Sequence, residues 1–115
     1  MTIGDVALTG QAAAVTEEEK REQAYRSKVL KSFMPLGYCE VLPAQYKKKL
    51  IIYEEIFKQF TPGQVLPEKQ VNDIISRVHN DFCLVRREFV EMGWMSRDRK
   101  GIYTVNQMTK GAEEA

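Results

Sequence analysis

The chain has 115 residues, enough for one domain and little more, with 43% hydrophobic and 29% charged residues, an ordinary globular balance. Its 17 Lys+Arg against 16 Asp+Glu leave a net charge of +1, which excludes the global basic field that announces many nucleic-acid binders. With one His and two Cys the chain cannot assemble a Cys/His zinc site of its own, and no apolar run approaches the roughly 18 residues of a membrane span.

Residues 1–15 (MTIGDVALTGQAAAV) are small and polar and read as a flexible N-terminal arm. They lack a basic start and carry Asp5, unlike a secretory signal, so a soluble, cytoplasmic protein is expected. A helix is expected over 16–34. Thr16 and Glu19 have capping-box spacing, and Glu17 and Glu18 suit the positive end of the helix dipole. The first half of this helix is almost wholly charged. The second half places Tyr25, Val29, Leu30, Phe33 and Met34 at helical spacing, so it should dock on the body of this chain or on a second copy. A homodimer through this helix is the corresponding partner expectation.

Residues 35–105 form the expected main domain. GYCEVLP is an extended link, and Pro43 opens a second helix in which Tyr46, Leu50, Tyr53, Phe57 and Phe60 repeat at helical intervals, with Ile52 and Ile56 thickening the stripe. Thr61-Pro62-Gly63 stops it. Gln64-Val65-Leu66 reads as a short strand, with Pro67 in the first turn of a third helix whose Val71, Ile74, Ile75 and Val78 share a face. Asn80 or Asp81 caps a fourth helix running to Met92 before Gly93. Two short runs around Asp98-Arg99-Lys100-Gly101 then make a hairpin expected to pair with strand 64–66, and 106–115 is a polar C-terminal tail. The fold class is therefore mainly α with a small β-hairpin wing (α+β), a winged helix-turn-helix with an extra N-terminal helix.

Cys83, between Phe82 and Leu84, reads as a small buried hydrophobe, Cys39 as a loop or strand residue, and no disulfide between them is expected. The lone His79 reads as a hydrogen-bonded turn residue. No nucleophile–base pair, phosphate-cradling glycine loop or carboxylate cluster stands out, so neither an enzyme nor a cofactor is expected.

The charge is unevenly placed. Residues 43–105 hold 11 basic and 8 acidic side chains, a net of +3. A helix that reads DNA sends polar groups outward while its other face packs on the core. In the fourth helix Phe82, Val85, Phe89 and Met92 form the inward stripe, and Asn80, Leu84, Arg87, Glu88 and Glu91 face outward. Arg87 either reaches a phosphate or guanine edge or pairs with Glu91; Arg86 either joins it or lays its stem along the core edge. The hairpin tip is the stronger candidate: Arg97, Arg99 and Lys100 gather there against Asp98, although charged tips also serve as solvated turns. Lys47, Lys48 and Lys49 sit in the first turns of their helix, where the dipole disfavours each cation by ~0.3–1 kcal/mol. They read as a solvated face, or they point to an anionic partner or to acids elsewhere, such as Glu17 to Glu19.

The stretch from Val29 to Val105 resembles an uncharacterised bacterial family, a domain of unknown function found alone or joined to ArsR-like transcription regulators. The resemblance is carried by LPAQYKKKL (42–50), EKQVNDII (68–75), HNDFCLVRREFVEMGWMSRD (79–98) and Tyr103. Asp-Phe-x-x-x-Arg-Arg-Glu-Phe-Val is its most specific run. It implies a winged helix and a role in transcription, without catalytic residues. The chain departs from the family at Leu84, where a small polar residue, often Thr, is usual. The expected partner is double-stranded DNA, met mainly by the basic wing at Arg97, Arg99 and Lys100, with Arg87, Arg86, Lys47 and Lys48 as further candidates. The alternative is a winged helix serving as a protein-interaction or dimerisation module.

Overall fold

The computed structural model describes residues 16–107. Over them the chain forms four helices, α1 (Glu17–Phe33), α2 (Tyr46–Phe57), α3 (Glu68–Ser76) and α4 (Phe82–Glu91), with strands β1 (Val65–Pro67), β2 (Met95–Arg97) and β3 (Ile102–Val105). The strands make one antiparallel sheet in the order β1-β3-β2, an α+β arrangement. The arm expected at 1–15 and the tail from 108 onward lie outside the described residues.

Helix α1 starts as its sequence demands. The Glu19 backbone N–H donates to Thr16 Oγ1 at 3.0 Å, and the Thr16 N–H donates to Glu19 Oε1 at 3.1 Å. Its apolar half lies on its own chain: Val29 is buried, and Tyr25, Leu30, Phe33 and Met34 pack against the same core, with α1 alongside α2.

Helix α2 begins at Tyr46, three residues after the proline expected to open it. Its N-cap, Gln45, is extended and its side chain accepts no capping bond, while Pro43 is buried in the approach. The expected stripe is buried at Tyr53, Phe57 and Phe60, with Ile52 and Ile56 beside it, but not at its first member. Tyr46 is 61% exposed, whereas Ile51, Ile52, Tyr53, Ile56, Phe57 and Phe60 are buried. The single-stripe reading assumed one packing face. This helix meets α1 on one side and the rings of Phe89 and Trp94 on the other, so burial spreads around it.

Phe89 of α4 stands at the centre of the core. Its ring makes edge contacts with Tyr53 (centroids 5.7 Å apart), Phe57 (5.3 Å) and Phe60 (6.4 Å), and lies 5.6 Å from Trp94. Such pairs contribute roughly 0.5–1.5 kcal/mol each beyond the area they bury. They fix the angle at which α4 leaves the core, and hence the direction of its outer face.

Cys83 is exposed, contrary to the buried placement expected, and Cys39 is the buried thiol; both are free. The reason is angular: Cys83 sits on the side of α4 opposite Val85 and Phe89, and apolar neighbours in sequence do not share its direction. Burial pushes the Cys39 thiol up from its ordinary pKa. Cys39 ties the link before α2 to the end of α3: its N–H donates to the Val78 carbonyl at 2.7 Å, and its own carbonyl accepts from His79 Nδ1 at 2.6 Å. A carbonyl only accepts, so Nδ1 carries the proton and the buried His79 is a structural donor.

Candidate functional site

Outer α4 and the β2–β3 hairpin face one another across a cleft of about 460 Å³ lined by Glu68, Arg86, Arg87, Val90, Glu91, Arg97 and Tyr103. The hairpin is held out by its turn. Gly101 adopts φ 82°, and Asp98 Oδ1 accepts from the backbone N–H groups of Lys100 (2.8 Å) and Ile102 (2.9 Å). The carboxylate expected to offset the tip cations is thus engaged in shaping the turn that presents them. The Glu68 N–H donates to the Gly101 carbonyl at 3.1 Å, fastening the turn to the start of α3.

The sequence-derived candidates separate into three groups. Arg99 and Lys100 at the tip, Arg87 on α4 and Lys48 on α2 make no ion pair among the described residues; the first three are exposed and Lys48 is half-buried. The Arg87–Glu91 pair anticipated on one helix face does not form within 4.0 Å. Arg97 and Lys47 are partly engaged. Arg97 Nε lies 3.8 Å from Glu68 Oε1, and Lys47 Nζ lies 3.9 Å from Glu22 and 4.7 Å above the Tyr25 ring. Arg86 is committed to structure. Its Nη1 donates to Asn72 Oδ1 on α3 and lies 3.7 Å from Glu68 Oε2, its guanidinium lies 6.0 Å from the Tyr103 ring centroid, and its buried Nε meets no acceptor among the described residues.

Two acids expected to face outward from α4 behave differently. Glu91 is exposed. Glu88 turns toward α2, where it accepts a hydrogen bond from the Tyr53 hydroxyl and lies 3.6 Å from Lys49 Nζ. Burial, followed by the Glu88 carboxylate, raises the Tyr53 pKa far above its ordinary value. Glu88 was assigned outward because a helical wheel has no neighbours; here α2 fills the space beside it. The lysine triplet also finds partners other than those expected, with Lys47 near Glu22 and Lys49 near Glu88. Glu17 is 3.7 Å from Lys20, and Glu19 closes the capping box.

A second charged cluster lies away from the cleft. Arg26 of α1 donates to Glu54 and, at 2.8 Å, to Glu55 of α2, and Lys58 also donates to Glu55 at 2.8 Å. Burial opposes the Arg26 charge, but Glu55 and Glu54 together raise its pKa. Burial likewise opposes the Glu55 charge, yet Lys58 and Arg26 hold its carboxyl below the usual value.

Sequence reasoning missed Glu68 and Tyr103 as members of the cleft, and Asn72 as the anchor of Arg86. Glu68 pairs across to α4 and the hairpin, separations at which no helical spacing rule operates. Among the described residues no group of three His, Cys, Asp or Glu side chains could hold a metal, and no helix is long and apolar enough to cross a membrane.

Residues 40–105, more than half of the chain, match the model of a family described as an uncharacterized protein conserved in bacteria (DUF2087). The chain belongs to this family. The match takes in α2, α3, α4 and the whole sheet, and with them every residue of the cleft; α1 precedes it. No curated protein and no solved structure matches the chain.

Proposed function

We propose that this family member is a DNA-binding module of the winged helix-turn-helix type, working in bacterial transcription regulation in the cytoplasm, without catalysis or cofactor. In this reading α3 and α4 are the helix-turn-helix, the β2–β3 hairpin is the wing, and α1 is an added N-terminal helix. The order α2, β1, α3, α4, β2, β3, with β3 central in the sheet, supports it. The observation that carries the reading is the cleft itself: Arg87 of α4 and Arg97 of the hairpin line it together, and Arg99 and Lys100 stand exposed at the tip of the same hairpin. Phosphate contacts come mainly from the hairpin. Arg87 is the α4 side chain free to reach a base edge, and the turning of Glu88 toward Tyr53 leaves Glu91 as the acid beside it.

Titration of a random-sequence duplex at roughly 50 and 200 mM salt tests this, because phosphate-led binding weakens steeply as salt rises. The joint variant Arg99→Ala/Lys100→Ala should weaken binding to unrelated duplexes alike and flatten the salt dependence by about two charges. Absence of binding at low salt overturns the reading.

One observation favours a second reading, a protein-interaction or dimerisation module. Leu36 is 93% and Val41 71% exposed, and with Phe33, Pro35 and Tyr38 they line an open, largely apolar cleft of about 540 Å³ beyond the end of α1. Sedimentation of the parent chain and of Leu36→Ser separates the two: a self-associating parent and a monomeric variant support an interface at this patch.

A further inference from the structure

Glu68 opens α3, yet its carboxylate reaches across to α4 and the hairpin. Oε1 accepts from the Tyr103 hydroxyl at 3.3 Å and lies 3.8 Å from Arg97 Nε, while Oε2 lies 3.7 Å from Arg86 Nη1. One anion therefore sits among two guanidinium groups and a phenol, on the wall of the cleft that Arg87 also lines. Tight charge-assisted hydrogen bonds run about 2.7–2.9 Å. All three Glu68 contacts are longer, and its side chain remains 40% exposed. Arg86, by contrast, is 13% exposed and anchored to Asn72, so it would keep its place if the carboxylate left. The cationic frame is rigid on one side, and the anion within it is loosely held.

We propose that Glu68 is an internal counter-anion: it occupies the place of a backbone phosphate between Arg86, Arg97 and Tyr103, and nucleic acid binds by displacing it. The ligand class rests on the DNA-binding reading above. Two oxygens of a phosphodiester can face the same guanidinium groups as the carboxylate does, and guanidinium–phosphate pairing is among the stronger charge-assisted contacts. Displacement costs the Glu68 contacts, so a lone phosphate gains little. A duplex backbone reaches Arg99, Lys100 and Arg87 at the same time and offsets the loss. Glu68 thereby makes the cleft selective for a chain of phosphates over a single one.

The test compares the full-length parent, Glu68→Gln and Glu91→Gln. Glutamine keeps an acceptor for the Tyr103 hydroxyl. Glu91→Gln makes the same charge change in the same cleft, at a residue with no ion pair among the described residues. Glu68→Gln should tighten duplex binding about fivefold more than Glu91→Gln, the scale of one partly exposed ion pair, and steepen the salt dependence by about one phosphate contact. The Arg97 Nε–H resonance should respond to inorganic phosphate in Glu68→Gln and stay unmoved in the parent. Adding Arg97→Ala to Glu68→Gln should abolish both gains. Equal tightening by the two Gln variants overturns the proposal, since Glu68 would then act only as one more negative charge. An Arg97 signal in Glu68→Gln that ignores phosphate also overturns it. If that signal responds while no variant binds duplex, the counter-anion role stands and the DNA-binding reading falls.

Discussion

Arg26 and Arg99 carry the same side chain into opposite circumstances. Arg26 is closed between Glu54 and Glu55 at the seam of α1 and α2, with Lys58 completing the set. Arg99 stands beside Lys100 on a hairpin tip, exposed, while the nearest acid in sequence, Asp98, is bonded to the turn backbone. Charge that is paired between elements holds the molecule together, and charge presented on a rigid turn is available to something else. A count of basic residues cannot tell the two apart.

The contrast is sharpest in stability. Arg26→Ala removes a guanidinium shared by a buried and a half-buried carboxylate and should cost ~1–3 kcal/mol in urea unfolding, less than a fully buried pair because Arg26 is itself partly exposed. Arg99→Ala should stay within about 0.5 kcal/mol of the parent. Similar losses for the two would erase the distinction.

Tyr53→Phe gives a somewhat smaller effect, about 1 kcal/mol, from the lost hydrogen bond to Glu88. It also reaches the cleft: a Glu88 released from Tyr53 adds an acid to the outer face of α4 and should weaken duplex binding. Unchanged binding alongside the stability loss would separate the seam under α4 from its outer surface.

The smallest effect is one of pH. Glu55 has a folded-state pKa below its ordinary 4.5, so its stabilising contribution is present above about pH 4.5 and is lost as pH falls through the lower folded value. Tyr53 has a raised folded pKa, so its contribution is complete below its ordinary value of 10.0 and declines as pH rises beyond it. Melting curves across pH should show a plateau between these limits. Glu55→Gln should blunt the acid edge and leave the alkaline edge in place. An acid edge unaffected by Glu55→Gln would mean that the seam contributes nothing through this carboxylate.

Local chemistry determined a good part of this protein. The Thr16–Glu19 cap, the Asp81 cap of α4, the inward Val85 and Phe89 and the turn at Asp98–Gly101 each depend on residues within about one helical turn or one hairpin of each other, and each is legible in the sequence. The candidate site was partly legible for the same reason, because Arg97 of the cleft and its neighbours Arg99 and Lys100 announce themselves around a single turn. Only the tertiary structure decided that Tyr46 at the start of α2 stays exposed, that Cys83 faces solvent while Cys39 does not, that Glu88 leaves the outer face of α4 for Tyr53, and that Glu68 stands among Arg86, Arg97 and Tyr103. Helical and strand periods give a residue its direction from its own element. What waits in that direction is another element, set there by the packing of rings around Phe89.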